Sequence, residues 1–373
     1  MSKIYLTQAL HRALRQYPKR IATVYGERKR TYAEITERVA RLAAALQALG
    51  MGPGDSVGVL SLNSDRYLEL YFAIWWGGGV VNPVNIRWSP AEIAYSLDNC
   101  QTQILVVDDT FVSMVEGLSE RSQSLRTIVH ASESEARSGM FDYERLIAEH
   151  APVADAMRCD NDLAGVYYTG GTTGFPKGVM LSHANLHSGG MVALVAGLAM
   201  EDDVGLHAAP MFHLADGMFA LALTMRGCTQ VIVPAFQVDA VLKVIASEKV
   251  TTALFVPTMI QMLVDAPTLS EYSLDSLQRI FYGASPISEG LLDRAMQRLP
   301  GINFTQAYGQ TEASAVVSIL PDKFHRGPAS KLRSAGRPSE SIEIKIVNPQ
   351  GEEVAHGTVG EIAVRSAGVM LGY

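Results

Sequence analysis

The chain has 373 residues, 48% of them hydrophobic and 18% charged, so it can bury large cores and by length is expected to hold two or more domains. Its formal net charge of -7, with no basic tail or stripe, argues against a nucleic-acid backbone as the main partner. Any anion site must therefore be local.

Met1-Ser2-Lys3-Ile4 does not open a signal peptide. Thr31-Tyr32-Ala33-Glu34 is a capping box that predicts a helix running to Gly50, and Ser56 to Leu62 reads as a buried strand. Ser89-Pro90-Ala91-Glu92 is a second capping box, with proline at the first helical position, followed by the apolar strand Ile104-Leu105-Val106-Val107. The acidic, aromatic-poor stretch from Glu133 to Asn161 reads as a connector. Further apolar runs follow at Cys228 to Val233, Thr252 to Val256 and Arg279 to Tyr282, separated by helical stretches such as Val238 to Glu248. Near Ser334 the period changes to two, with Ile342, Ile344 and Ile346 on one face, an Asn348-Pro349-Gln350-Gly351 turn, and Glu361-Ile362-Ala363-Val364. This predicts an α/β protein: two doubly wound αβ subdomains, residues 1–160 and 161–333, then the start of a small antiparallel, barrel-like β unit at 334–373. The β unit is expected to continue past Tyr373, which makes this the N-terminal part of a longer architecture.

Cys100, Cys159 and Cys228 are far apart, with no CxxC or Cys/His cluster, so neither a disulfide framework nor a zinc site is indicated and a reducing, cytoplasmic setting fits. The apolar run Met191 to Met200 is too short to span a bilayer, which leaves peripheral membrane contact open.

The most informative stretch is Tyr168-Thr169-Gly170-Gly171-Thr172-Thr173-Gly174-Phe175-Pro176-Lys177-Gly178. Its glycines let backbone approach a ligand, its threonines offer hydroxyls, and Lys177 supplies a point charge for a polyphosphate. A Walker loop would need Gly-Lys-Ser/Thr opening a helix, whereas Lys177 leads into the strand-like Val179-Met180-Leu181. A glycine-rich hairpin with an incidental lysine is the plain alternative.

Five ordered stretches resemble the signature of the adenylate-forming superfamily, which includes acyl-CoA synthetases, firefly luciferases and nonribosomal adenylation domains. They are the loop at 168–178, Pro210-Met211-Phe212-His213, Gly283-Ala284-Ser285-Pro286, Tyr308-Gly309-Gln310-Thr311-Glu312, and Gly360-Glu361-Ile362 followed by Gly372-Tyr373. The resemblance implies an AMP-forming acyl-CoA synthetase: a carboxylate attacks the α-phosphate of ATP, pyrophosphate leaves, and a thiol then displaces AMP. It implies that Thr169, Gly170, Gly171, Thr172, Thr173, Gly174 and Lys177 hold the β and γ phosphates. Glu312 would ligate Mg²⁺, the Thr311 hydroxyl would contact the α-phosphate, and Tyr308 with Gly309 and the backbone of Gly283, Ala284 and Ser285 would receive adenine.

His213 falls where acyl- and aryl-CoA synthetases place a histidine at the mouth of the acid pocket, to orient the carboxylate or gate entry. Amino-acid-activating relatives have an aspartate directly after the phenylalanine; here Phe212 is followed by His213 and Asp216 comes three positions later, which disfavours an amino acid. The apolar segments Met211 to Phe219, Phe255 to Met259 and Phe281 to Ala284 suit a medium- or long-chain fatty acid or an aryl acid, although Phe219 and Met259 serve equally as core. ATP, Mg²⁺ and CoA are the implied cofactor and co-substrates.

Two departures stand out. Gly170 occupies a position where many relatives have serine, and the family's ribose-binding aspartate, hinge and mobile C-terminal domain with its lysine lie beyond the Gly372-Tyr373 motif. Neither Arg337 nor Arg365 is assigned that lysine's role. An aryl-acid CoA ligase, transfer of the acyl group to a carrier-protein thiol, and a non-catalytic module that only binds ATP and acid remain as alternatives.

Overall fold

A computed structural model describes residues 3–170, 174–327 and 330–373. Two sheets carry the architecture. The first has the spatial order Phe141–Asp142, Thr127–His130, Ile104–Val107, Ser56–Leu60, Val80–Pro83, Leu163–Thr169, Lys177–Ser182, parallel throughout except for the closing hairpin. The second runs Arg337–Pro338, Ser318–Leu320, Asn303–Tyr308, Arg279–Gly283, Thr252–Phe255, Val204–His207, Thr229–Ile232, Ile21–Tyr25, Arg28–Thr31, with a parallel centre and antiparallel edges. The fold class is therefore α/β with parallel sheets and packed helices, as the alternation of apolar runs and capping boxes implied.

The strand pattern separates the faces of the first sheet. Val57, Val59, Ile104, Val106 and Val129 join one core, while Leu60, Leu105 and Val107 join another with Ile93, Leu97 and Leu118 of the outer helices. That is the period of two expected of a pleated strand buried on both sides. The first of these cores also takes in residues from helices Gln8–Gln16, Tyr32–Ala48, Asp65–Trp76 and Leu214–Arg226, so it lies between the sheets. A third core on the second sheet holds Val231, Val233, Phe281 and Phe304 with Leu242, Ile260 and Leu292.

Both predicted capping boxes form. Thr31 and Glu34 cap helix Tyr32–Ala48, and Ser89 and Glu92 cap helix Pro90–Asn99 with Pro90 in its first turn. Helix Asp65–Trp76 is buried at every one of its 12 positions, Asp65 and Glu69 included. Asp65 is charge-paired with Arg28 at 2.7 Å and also with Arg30, while Glu69 takes Arg38 at 2.6 Å and the Tyr143 hydroxyl at 2.9 Å. Tyr71 and Trp75 reach across to the Met211 and Ala164 carbonyls, each at 2.9 Å.

Three sequence-level boundaries differ from the structure. Strands Leu163–Thr169 and Lys177–Ser182 close the first sheet although they follow residue 160, and the hairpin Ile21–Thr31 belongs to the second sheet although it precedes it. Arg337–Pro338 is an edge of the second sheet, so the β unit proper is the pair Glu343–Val347 and Glu361–Arg365. The stretch from Glu133 to Asn161 is not simply a connector: strand Phe141–Asp142 and helix Tyr143–Glu149 form there, because Tyr143, Leu146 and Ile147 make a short apolar stripe and Glu144 ties down Arg38 and Arg66. No helix among the described residues is long and apolar enough to cross a membrane.

Replacing Asp65 with alanine leaves the Arg28 and Arg30 guanidinium groups facing a hole, and loss of one partner from such a buried network costs about 3 kcal/mol or more. The expected result is a clear drop in the urea midpoint of the D65A variant. A midpoint equal to wild type would show that the network contributes nothing. His183 offers a pH test. Its ring is buried, Nδ1 accepts from the Leu6 N–H at 3.4 Å, and burial pushes its pKa down to about 4. The unfolded chain takes up this proton near pH 6.5 and the folded chain resists it until about 4, so stability present above that window is lost as pH falls through it, by up to about 3 kcal/mol. Urea midpoints at pH 7 and pH 5 should differ less in His183→Gln than in wild type.

Candidate active site

The parallel strands of the second sheet end along one edge, and from three of them, Val204–His207, Arg279–Gly283 and Asn303–Tyr308, the chain leaves into a motif. Gly283 pairs in register with Ala307, which places Ala284 and Ser285 beside Tyr308 and Gly309. Backbone approach is so close there that a β-carbon on Gly283 would collide with the Ala307 carbonyl oxygen, and one on Gly309 with that of Ala315. Ala284 sits in the left-handed region with φ +64°, exposed together with Ser285. The backbone around Ala284 and Ser285 is thus open to solvent. Tyr308 is 37% exposed at the end of its strand, with a ring face available for stacking. His213 caps the start of helix Leu214–Arg226 after strand Val204–His207, on the same edge.

The first sheet contributes the phosphate-loop hairpin. Thr169 ends one strand, half-buried, opposite Lys177, which opens the next and is exposed. Gly170 is exposed, and a β-carbon there would meet none of the described residues within 4 Å. Gly174 has φ +150°. Gly171, Thr172 and Thr173 lie outside the described residues. Phe175 stacks on Tyr95 with ring centroids 4.6 Å apart, which ties the hairpin tip to helix Pro90–Asn99.

A strap formed by residues 367–373 joins hairpin and second sheet. Asn185 donates to the Ala367 and Val369 carbonyls, Ser314 to Gly368, the Met370 N–H to the Glu312 carbonyl, and Met180 exchanges backbone bonds with Leu371 and Gly372. It ends with the Tyr373 ring centroid 5.0 Å from the Lys177 ammonium and the Tyr373 hydroxyl donating to Glu312 Oε1 at 3.1 Å. Lys177 and Glu312, 135 positions apart in sequence (312 minus 177), therefore meet on one side chain. Tyr373 carried a motif in the sequence but no role, because nothing local tells that its neighbours will be those two charges. Thr311 and Glu312 lie in a single short turn, Thr311–Ala313.

The electrostatics divide the edge. Among the described residues Lys177 makes no ion pair, and no group of three or more His, Cys, Asp or Glu gathers. A closed protein cage for a metal is therefore not what the site offers. One carboxylate beside phosphate oxygens is an arrangement Mg²⁺ accepts, and Glu312 fits it. His213 is open to solvent, yet loss of water around the ring and then the Arg87 charge push its pKa down to about 4, so the imidazole is neutral at pH 7. Asp216 faces the other way: fully buried, it accepts from His207 Nδ1 at 2.7 Å, and His207 Nε2 meets Gln230 Oε1 at 3.0 Å. No free carboxylate from Asp216 reaches the edge. Of the apolar segments, Phe219 and Met259 belong to the second sheet's core, the plainer of the two readings they allowed. A groove of about 750 Å³ lined by Tyr272, Arg298 and Asn303 lies at the opposite, N-terminal ends of the same strands, remote from these residues.

A family signature described as AMP-binding enzyme spans residues 10–373. The chain belongs to the AMP-binding enzyme family. It is 36% identical over 97% of its length to a feruloyl-CoA synthase of Amycolatopsis sp., covering 70% of that protein. It is 33% identical over 92% of its length to a long-chain-fatty-acid–CoA ligase of Thermus thermophilus, covering 64% of it. In fold it matches the crystal structure of a long-chain-fatty-acid-CoA ligase from Archaeoglobus fulgidus with TM-score 0.90 at 24% identity, over 100% of this chain and 76% of that one. This AMP-binding enzyme is thus an ATP-dependent acid–thiol ligase of the AMP-forming class.

Within this family member two glycines of the site should behave oppositely. Gly309→Ala forces the Ala315 carbonyl aside and is expected to lower activity at least about tenfold, whereas Gly170→Ser meets none of the described residues and should retain wild-type activity within about twofold. Steady-state rates of the two purified variants decide this, and a fully active G309A would overturn the close-approach account.

Proposed function

We propose that this enzyme activates a medium- or long-chain fatty acid as its acyl-adenylate and passes the acyl group to CoA, with the residues named above as its site. The observation that supports this reading is the meeting of Lys177 and Glu312 on Tyr373, which brings together a cation from the first sheet's hairpin and a carboxylate from the turn after strand Asn303–Tyr308.

In the first half-reaction a carboxylate oxygen attacks the α-phosphorus of ATP, the bond to the bridging oxygen breaks, and pyrophosphate leaves with the electron pair. The work is positioning and charge neutralisation. Lys177 neutralises the β and γ phosphates, aided by backbone N–H groups and hydroxyls of Thr169 to Gly174. Thr311 donates its hydroxyl to the α-phosphate. Tyr308 stacks on adenine, whose edge meets the backbone of Gly283, Ala284 and Ser285 and of Gly309. Glu312 holds Mg²⁺, which when bound supplies charge neutralisation at the phosphate oxygens. His213, neutral at pH 7, donates a hydrogen bond that orients the carboxylate without adding charge. In the second half-reaction the CoA sulfur attacks the acyl carbon, AMP leaves, and the thiol proton passes to solvent.

The acid reading is supported by Asp216, which is buried and committed to His207, so a substrate ammonium finds no partner there. Met211, Phe212, Phe255 and Phe281 are core residues and do not by themselves choose the acid. A second reading, an aryl acid, is favoured by the 36% identity to a feruloyl-CoA synthase.

ATP/pyrophosphate exchange with Mg²⁺, run separately with fatty acids, aryl acids and amino acids, tests the proposal. Exchange with fatty acids alone is the expected outcome. Exchange with aryl acids alone moves the enzyme to the second reading, and amino-acid-dependent exchange sinks both. Lys177→Ala should lower the exchange rate by about 10² to 10³, the cost of removing one preorganised charge from a transition state.

A further inference from the structure

The Tyr373 side chain touches both charged groups to which the phosphates and the metal are given above. Its position is set by the strap that carries it. That strap is fixed by backbone bonds from Met370 to Glu312 and between Met180 and Gly372, that is, to the two segments that bear the metal carboxylate and the phosphate cation.

We infer that Tyr373 is a positioning residue for the binding of Mg·ATP: its ring seats the Lys177 ammonium, and its hydroxyl holds Glu312 Oε1, which would leave the other carboxylate oxygen to a metal. The inference rests on the reading of Lys177 and Glu312 as phosphate and metal groups. Two physical effects support it. A lysine on a flexible four-carbon stem loses much of its rotamer freedom once its ammonium lies over a ring, so less ordering remains to be done when phosphates arrive. A metal-binding carboxylate is commonly held by a hydrogen bond on its other oxygen, and loss of such an outer partner weakens metal affinity by about tenfold or more. The two effects are separable in one residue, since the hydroxyl and the ring can be removed in turn.

The test measures equilibrium binding of ATP, with and without Mg²⁺ and in the absence of acid so that no turnover occurs, by calorimetric titration. The unliganded melting temperature of each variant reports whether its fold is intact. Tyr373→Phe keeps the ring and should weaken Mg·ATP binding about tenfold while leaving metal-free ATP unchanged. Tyr373→Ala should also weaken metal-free ATP several-fold, through the Lys177 ammonium. Wild-type affinities in both variants, or tighter binding in either, would overturn the inference, the latter by making Tyr373 a competitor for the site. Lys177→Ala and Glu312→Gln separate the two levels of argument. If they too bind Mg·ATP as wild type does, the site reading itself fails; if they lose binding while the Tyr373 variants keep it, only the role of Tyr373 falls.

Discussion

The architecture depends on a helix that has no surface. Asp65–Trp76 is buried on all sides between two sheets, and a helix in that position must find partners for its charged residues as well as its apolar ones. Asp65 binds Arg28 and Arg30 of the hairpin at the edge of the second sheet, while Glu69 binds Arg38 and the Tyr143 hydroxyl and also lies 3.7 Å from Arg30. One turn of helix thus ties together a strand and two further helices. Tyr71 and Trp75 add hydrogen bonds to the carbonyls of Met211, in the second sheet's half, and Ala164, in the first. Charge pairs of this kind contribute more to specifying one arrangement than to net stability, because desolvation offsets much of their attraction.

The packing of the two sheets matters because neither holds all the residues of the proposed site. The hairpin that carries Lys177 belongs to the first sheet; Gly283 and Tyr308 belong to the second, and Glu312 to the turn that follows it. The residues proposed for adenine, metal and phosphate can serve one ATP molecule only if the two sheets keep a fixed offset. The strap at 367–373 secures the offset locally, by backbone bonds to strand Lys177–Ser182 on one side and the turn Thr311–Ala313 on the other. A ligand site formed where strand ends of two packed sheets converge is a general solution in α/β proteins, since the carboxyl ends of parallel strands are where loops can vary without disturbing the core.

The distribution of charge follows the same division between holding and acting. Arginines near the buried helix are paired with carboxylates, and the His207–Asp216 pair is sealed in the second sheet. Lys177, by contrast, stands exposed at the end of a hairpin, over an aromatic ring instead of a carboxylate. A cation left in that state keeps its charge for an incoming anion. The neutral His213 contributes the opposite property, a donor without net charge, at the place proposed for the acid.

Much of this was legible in the sequence. Capping boxes at Thr31 and Ser89 mark helix starts because the signal is local: a side chain and a backbone N–H three residues apart. The close backbone approach at Gly309 fits its place in a motif, since a β-carbon there would collide with the Ala315 carbonyl. What the sequence could not settle was which distant strands share a sheet. The exchange of Ile21–Thr31 and Leu163–Ser182 across the expected boundary at residue 160 is decided by the buried helix and by the closing hairpin, which pair segments through space irrespective of their order. Asp216 was visible as an acidic residue near the acid pocket, yet its first-turn position on helix Leu214–Arg226 points it at His207 and not at a substrate. The sequence by itself determined the family, through short motifs whose residue types follow one another in a fixed order. Tertiary structure alone decided that Lys177, Glu312 and Tyr373 are neighbours, because contacts between side chains from separate sheets depend on the packing that brings those sheets together.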